Sequence, residues 1–319
     1  MLFHLVIIVF SYCLGFSFSY RGDKTSITRP LRPPFPDGIC GGKVVKIRHP
    51  SDKSFNMKEI LLPKRSIEVW LPPGYSSSNE YPVLLAHDGQ NVMTDASSWT
   101  GSSWRMMGAL TRLHERNLLR TPLPIVVLLP SADGDLLPGA RRRHLEYAAS
   151  GPFAEAHANF VVERILPLVE DRFSTSSERY LIGSSMGGQA SMQLLFRHPE
   201  LFNGAACLSP WFDPTFVVSV ASEVTALKGK RIYLDIGGDI GDNKVNTFDL
   251  LDHLTAENWW NPGYFWLDSQ LQPGVQAMKV ALNIAGANLK YHEEPGGRHN
   301  ERAWANRIDL PIKHLFGKK

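Results

Sequence analysis

A chain of 319 residues, 43% hydrophobic and 20% charged, can bury one sizeable core and has the composition of an ordinary globular domain. Its 34 basic and 31 acidic residues leave a net charge of +3, too mild a bias for a nucleic-acid partner, and no basic helix or RNA-type motif accompanies it. Cys13, Cys40 and Cys207 form neither a metal-ligand spacing nor a disulfide framework.

The first 19 residues contain no Asp, Glu, Lys or Arg, and Leu2 to Leu14 is nearly all apolar. Ser17-Phe18-Ser19 puts small residues where a signal peptidase reads. Residues 1–19 therefore read as a secretory signal, cleaved before about Tyr20, with the mature protein in the secretory pathway or outside the cell. The n-region lacks Lys and Arg, and the alternative is an uncleaved anchor. Ser11, Gly15 and Ser17 nevertheless leave the apolar stretch short of the ~20 residues that a span needs. No other segment could cross a membrane, so no stable span is expected after processing. Cys40 and Cys207 would then remain, and Cys207, inside the run Ala205-Ala206-Cys207-Leu208, reads as a buried free thiol. Residues 20–55, rich in Pro, Gly and Arg and without periodicity, read as an extended lead-in to a folded domain over 56–319.

From about Met57 strands and helices alternate, the pattern of an α/β fold with a mostly parallel sheet covered on both faces. Ser66 to Leu71 alternates as an early, antiparallel strand, closed by Pro72-Pro73-Gly74. Val83 to Ala86 is an apolar strand ending at His87-Asp88-Gly89-Gln90. Trp104 to Arg116 has helical spacing, and Ile125 to Leu129 is a buried strand. Phe153 to Phe173 is a long amphipathic helix with a kink expected at Pro167. The strand Tyr180–Ser184 leads into a helix over Met186–Arg197, stopped by His198-Pro199. Strands at Gly204–Leu208 and Ile232–Ile236 follow, then helices near Val245–Leu254 and Val275–Ala285. The strand Leu289–His292 and a helix from about Asn300 close the chain.

Gly183-Ser184-Ser185-Met186-Gly187 fits G-x-S-x-G. With Gly near 7% of residues, a bare match arises by chance in about one such chain in ten, so context has to carry the assignment. Here the match follows an apolar strand and opens a helix, as a nucleophile elbow requires. The flanking glycines let the strained turn pass its neighbours. The Ser185 Oγ then projects above the sheet, with the first helix amides aimed at a developing oxyanion. His87-Asp88-Gly89-Gln90 ends an earlier strand, where such folds place a second donor. The Gln90 N–H is expected to pair with the Met186 N–H as an oxyanion hole.

The base is read as His299, in Pro295-Gly296-Gly297-Arg298-His299-Asn300 between the last strand and the last helix. Among other histidines, His198 closes a helix, His114 falls on a surface face and His292 alternates on a strand. The acid is expected after the Ile232–Ile236 strand, where Gly237-Gly238-Asp239-Ile240-Gly241-Asp242-Asn243 offers Asp242 first and Asp239 second. The acid must reach past the turn to the imidazole. Either carboxylate could instead cap the next helix. Arg141-Arg142-Arg143 could meet an anionic or hydroxyl-rich group, or simply be a solvated loop. The aromatic run from Trp259 to Trp266 could wall a substrate site or pack an insertion onto the domain.

Taken together, His87-Asp88-Gly89-Gln90-Asn91, Gly183-Ser184-Ser185-Met186-Gly187-Gly188, His198-Pro199-Glu200-Leu201-Phe202, Leu208-Ser209-Pro210 and His299-Asn300-Glu301-x-x-Trp304 resemble one esterase family. It is the group of α/β-hydrolases that includes enterochelin-type, feruloyl and acetyl-xylan esterases and the mycolyltransferases. Arg143-x-x-Glu146-Tyr147 resembles an Arg…Glu-Tyr element of the same family. The resemblance covers about residues 60 to 317. It implies an α/β-hydrolase fold and a carboxylic ester hydrolase with a Ser185–His299–Asp242 triad, working on a small-molecule or saccharide-linked ester. It also supports Gln90 as an oxyanion donor. Neither a metal nor an organic cofactor is required by that chemistry. An acyltransferase with the same triad and a non-catalytic binding module of the same fold are the alternatives.

Overall fold

The computed structural model describes residues 35–47, 62, 65–132, 134–138, 140–223, 225–247 and 262–318. The expected signal, the Pro-rich start of the lead-in and the Trp259-Trp260 pair lie outside these residues.

The apolar runs form the strands β1 (Lys43–Ile47), β2 (Ile67–Leu71), β3 (Tyr81–His87) and β4 (Ile125–Leu129). A hairpin of β5 (Asp135–Leu137) and β6 (Ala140–Arg141) follows, then β7 (Thr175–Ser184), β8 (Gly204–Leu208), β9 (Arg231–Ile236) and β10 (Asn288–Glu293). Apart from the hairpin these strands make one eight-stranded sheet, in the order β1-β2-β4-β3-β7-β8-β9-β10. From β4 to β10 every pairing is parallel, and β2 runs antiparallel to both of its neighbours. Every residue of β3, β4 and β8 is buried, which is why these strands read as unbroken apolar runs rather than alternations.

Successive side chains leave a strand on opposite faces, so two cores form. Leu85, Val127, Leu181 and Ala205 meet the helices Ala154–Asn159, Leu166–Arg172, Met186–Arg197, Pro214–Ser222 and Pro262–Ile284 on one side. Leu84, Val126, Ile182 and Ala206 meet Met106–Glu115 and Asp309–Phe316 on the other. No helix among the described residues is long and apolar enough to cross a membrane.

Four expectations change in detail. Residues 43–47 were expected in the lead-in but form β1, in register with β2 from Lys43 opposite Leu71 to Ile47 opposite Ile67. The preceding residues are fastened too, since Trp70 Nε1 donates to Ile39 O at 2.9 Å. The helix expected to kink at Pro167 widens instead into a π-turn over Phe160–Ile165 before resuming at Leu166. Proline has no N–H for the usual partner one turn back, and a wider turn accommodates that gap. The helix expected from Val275 begins thirteen residues earlier, at Pro262, and runs through Pro273-Gly274. The helix expected from Val245 is absent at 245–247, and its remainder lies outside the described residues.

The connection order makes the crevice. From β3 the chain steps outward to β4, then returns to the other side of β3 as β7 and continues through β8, β9 and β10. Loops after β3 and β7 therefore diverge at their C-terminal ends, the position where open α/β sheets hold ligands.

Candidate active site

Ser185 follows β7 directly and has φ 53°, ψ −125°, outside the regions favoured by L-residues. Such a turn costs on the order of 1–3 kcal/mol and persists only where its surroundings enforce it. Here its N–H donates to Leu208 O at 2.9 Å, and its carbonyl accepts from Trp211 N at 3.2 Å and Gly188 N at 3.1 Å. A Cβ at Gly183 would strike the Gly187 carbonyl, and one at Gly187 would come within 2.7 Å of Asp88 Oδ2. These contacts give the physical reason for glycine on both sides of the serine.

Asp88 leaves β3 in the left-handed region, at φ 54°, and Gly89–Asn91 form a 3₁₀ turn. Two side-chain anchors hold that turn. Gln90 Nε2 donates to Ser131 Oγ at 2.9 Å while Ser131 N donates to Gln90 Oε1 at 3.1 Å. Arg143 grips Asp88 with two bonds, Nε to Oδ1 at 2.8 Å and Nη2 to Oδ2 at 2.7 Å. Arg143 is thus committed to a structural ion pair, and only Arg141 of the arginine run is exposed. Gln90 is the middle residue of this 3₁₀ turn, and Met186 is the first residue of the helix that Ser185 opens.

His299 lies in the loop after β10. Its Nδ1 is 2.6 Å from Asp268 Oδ1, with side-chain exposures of 1% and 0%. The imidazole also packs edge-on against Trp304, centroids 5.1 Å apart. The other oxygen of Asp268 accepts from Ser209 Oγ and from Gly237 N, each at 2.9 Å. Burial alone would raise this carboxyl. The hydrogen bond and charge of His299, with Arg307 and Ser209 behind, more than offset that and hold it below the usual carboxylate range.

The expected acid is therefore corrected: the residue against His299 is Asp268, not Asp242 or Asp239. Asp242 is exposed at the tip of its turn. Asp239 caps that turn, its Oδ1 accepting from Val245 N at 2.7 Å. Asp268 also lies between Ser185 and His299 in chain order, so order admitted it, but Pro273-Gly274 obscured its helix. The first half of that helix is fastened to the β9 loop. Ser269 Oγ accepts from Asp239 N at 2.8 Å, and Gln272 Nε2 donates to Gly237 O at 3.0 Å. Positions 268, 269 and 272 share one helix face, so the same contacts that steady the helix aim Asp268. Phe265 and Trp266, from the aromatic run, contact each other edge-on, and Arg298 lies over the Phe265 ring.

These loops close into a ring around the elbow. The β7–β8 register sets Ser184 opposite Leu208, so Ser185 and Ser209 leave the sheet side by side. Ser209 bonds Asp268, and Asp268 bonds His299. Two residues beyond His299, Glu301 Oε1 accepts from Asn91 Nδ2 and Trp99 Nε1, both at 3.1 Å, which joins the histidine loop to the Gln90 turn. Trp99 is 38% exposed and lies beside Arg143, an apolar surface at the edge of this ring.

Two Bacillus subtilis (strain 168) proteins are similar in sequence. The uncharacterised YjcH is 26% identical over 204 residues, 63% of this chain and 78% of its own. The uncharacterised YbbA is 23% identical over 269 residues, 80% of this chain and 93% of its own. In structure the chain is similar to the enterobactin esterase of Shigella flexneri, with TM-score 0.58 and 19% identity over 88% of this chain. It spans only 60% of that enzyme's length. The ferulic acid esterase of the anaerobic fungus Anaeromyces mucronatus gives TM-score 0.57 and 16% identity, over 86% of this chain and 91% of that one. The fold is that of the α/β-hydrolase esterases. The family model described as "Putative esterase" matches residues 59–312, so this chain belongs to that esterase family.

Proposed function

We propose that the chain hydrolyses carboxylic esters through an acyl intermediate on Ser185, with His299 as base and Asp268 as the acid of the triad. The observation that carries this reading is the buried His299–Asp268 pair, tied through Ser209 to the strand end that adjoins Ser185, a serine held in a strained strand-to-helix turn. With Nδ1–H given to Asp268, the imidazole keeps its Nε2 lone pair as a base. His299 takes the Ser185 proton as Oγ bonds to the ester carbonyl carbon. The oxyanion that forms is met by the Gln90 and Met186 amides. The alkoxide leaves with the proton from His299. Water then attacks the acyl-serine, again with His299 as base, and the acid product is released. Nucleophile, base and oxyanion donors are all protein groups, so the cycle needs no metal or organic cofactor.

Enterobactin and ferulic acid, named for the structural neighbours, make hydroxylated aromatic acyl esters the first class to screen, beside p-nitrophenyl and acetyl-sugar esters. Ser185→Ala should lower kcat by about 10⁴ or more with the fold intact. A fluorophosphonate probe should label the Ser185 peptide of the native chain. Retained turnover in Ser185→Ala, with loss in Ser184→Ala, would mean that the motif register is wrong. Transfer product exceeding hydrolysis in the presence of an alcohol or sugar would move the reading to an acyltransferase. We also propose that the chain is secreted. Protein from its own host should begin near Tyr20, and recovery with Met1 in a cytosolic fraction would rule this out.

A further inference from the structure

Behind Asp268 lies a buried polar layer that the acyl-transfer cycle does not itself call on. Ser209 Oγ, which donates to Asp268 Oδ2, accepts from Arg307 Nη2 at 2.8 Å and from Trp304 Nε1 at 3.2 Å. Those two donors occupy both of its lone pairs, so the Ser209 proton has one direction left, toward Asp268. Arg307 is clamped in turn by Asp235, with Nε to Oδ2 at 2.9 Å and Nη2 to Oδ1 at 3.1 Å. Asp235 also accepts from Ser209 N at 2.8 Å and Tyr233 OH at 3.1 Å. Ser209, Arg307, Asp235 and Trp304 are all buried. Ser209 has φ 41°, a conformation in which glycine would be at ease and serine is not. A residue needed only for the turn would be glycine. Here the hydroxyl is what makes the contacts.

Resting on the triad proposed above, we infer that Ser209 is a positioning residue for Asp268 and that its Arg307-polarised hydroxyl sets the pH at which His299 becomes a base. The hydroxyl passes part of the Arg307 charge to the carboxylate and weakens its hold on a protonated imidazole. It also fixes the plane of the carboxylate, because Gly237 N alone leaves Oδ2 one donor. The charged or titratable groups around Asp268 are His299 from the loop after β10 and Arg307 from the turn before the last helix. Asp235 and Tyr233 of β9 lie behind Arg307, with Asp309 beyond Tyr233. Without the hydroxyl, Asp268 should hold the imidazolium more firmly and keep His299 protonated to a higher pH.

The test measures kcat and KM for p-nitrophenyl acetate across pH for the wild type, Ser209→Gly and Ser209→Ala. Glycine adopts φ 41° without strain, so its variant keeps the backbone. Alanine keeps the strain, so agreement between the two removes the backbone as the cause. Both should lose about tenfold in kcat with KM within about twofold. In both, the acid limb of kcat/KM should rise by about half a pH unit. An acid limb unmoved in both variants overturns the inference, even where the melting temperature falls, because a packing role alone shifts stability and not the limb. Ser185→Ala is run beside them. Full turnover there overturns the triad and this inference together, whereas its loss with an unmoved limb in the Ser209 variants overturns this inference alone.

Discussion

Replacing Asp268 by Asn turns one carboxylate oxygen into an NH₂ group, and the partners of that carboxylate dictate which way the amide must face. Oδ2 meets two donors, the Gly237 N–H and the Ser209 O–H. The first belongs to the backbone and cannot turn. The hydroxyl is aimed by two donors of its own. The amide oxygen must therefore occupy the Oδ2 site, and the NH₂ must face His299 Nδ1. Nδ1 then has to accept, the ring proton moves to Nε2, and His299 loses the lone pair with which it would take the Ser185 proton. The expected loss is on the order of 10⁴ in kcat, the size found for the aspartate of serine-protease triads, equivalent to about 5 kcal/mol of transition-state stabilisation. Asp242→Asn, at an exposed turn tip, should change kcat by less than about twofold. Asp239→Asn retains an oxygen for Val245 N and should also be mild. Steady-state ester hydrolysis at pH 7 to 8, with melting curves to confirm folding, separates the three. A folded Asp268→Asn within about tenfold of wild type refutes the orientation argument, as does an Asp242→Asn loss comparable to the one expected here.

Two further outcomes follow from groups around the ring. Asp88 is buried and paired twice by Arg143, so Arg143→Met should leave an uncompensated carboxylate beside the elbow and cost about 3–5 kcal/mol of stability. Adding Asp88→Asn should recover much of it in denaturant titrations, and a purely additive double variant would show that the pair is not coupled. His87 is fixed neutral. Ser191 Oγ donates to Gly187 O and so accepts from His87 Nδ1 at 2.8 Å, leaving His87 Nε2 to accept from His157 Nε2 at 3.2 Å. Burial, then His157, Arg143 and Arg65, hold its pKa well below 6.5. The unfolded chain thus binds a proton below about pH 6.5 that the folded chain refuses, and stability is lost as pH falls through that window. Between pH 7 and 5.5 this single site should remove about 1 kcal/mol. The stability gap between wild type and His87→Gln should narrow by that amount, and a gap independent of pH would contradict it.

Local chemistry made much of this protein legible from its sequence. Unbroken apolar runs such as Val83–Ala86 and Ile125–Leu129 are what strands buried on both faces require. The elbow is likewise a local device, because Gly183 and Gly187 lie within two residues of the serine whose turn they permit. His299, between the last strand and the last helix, could be read for the same reason. The lead-in strand β1 could not, since Lys43-Val44-Val45-Lys46-Ile47 carries too little pattern and is strand only because the β2 edge needs a partner. Asp268 was hidden for a related reason. Pro273-Gly274 is a local signal to stop a helix, and it is outweighed by anchors from Asp239 and Gly237, some thirty residues away in the chain. Which carboxylate reaches the histidine, and which serine and arginine stand behind it, depends on where β8, β9 and two helices meet. Pairings of that kind are set by packing between distant segments, which leaves no periodicity and no spacing for a sequence to display.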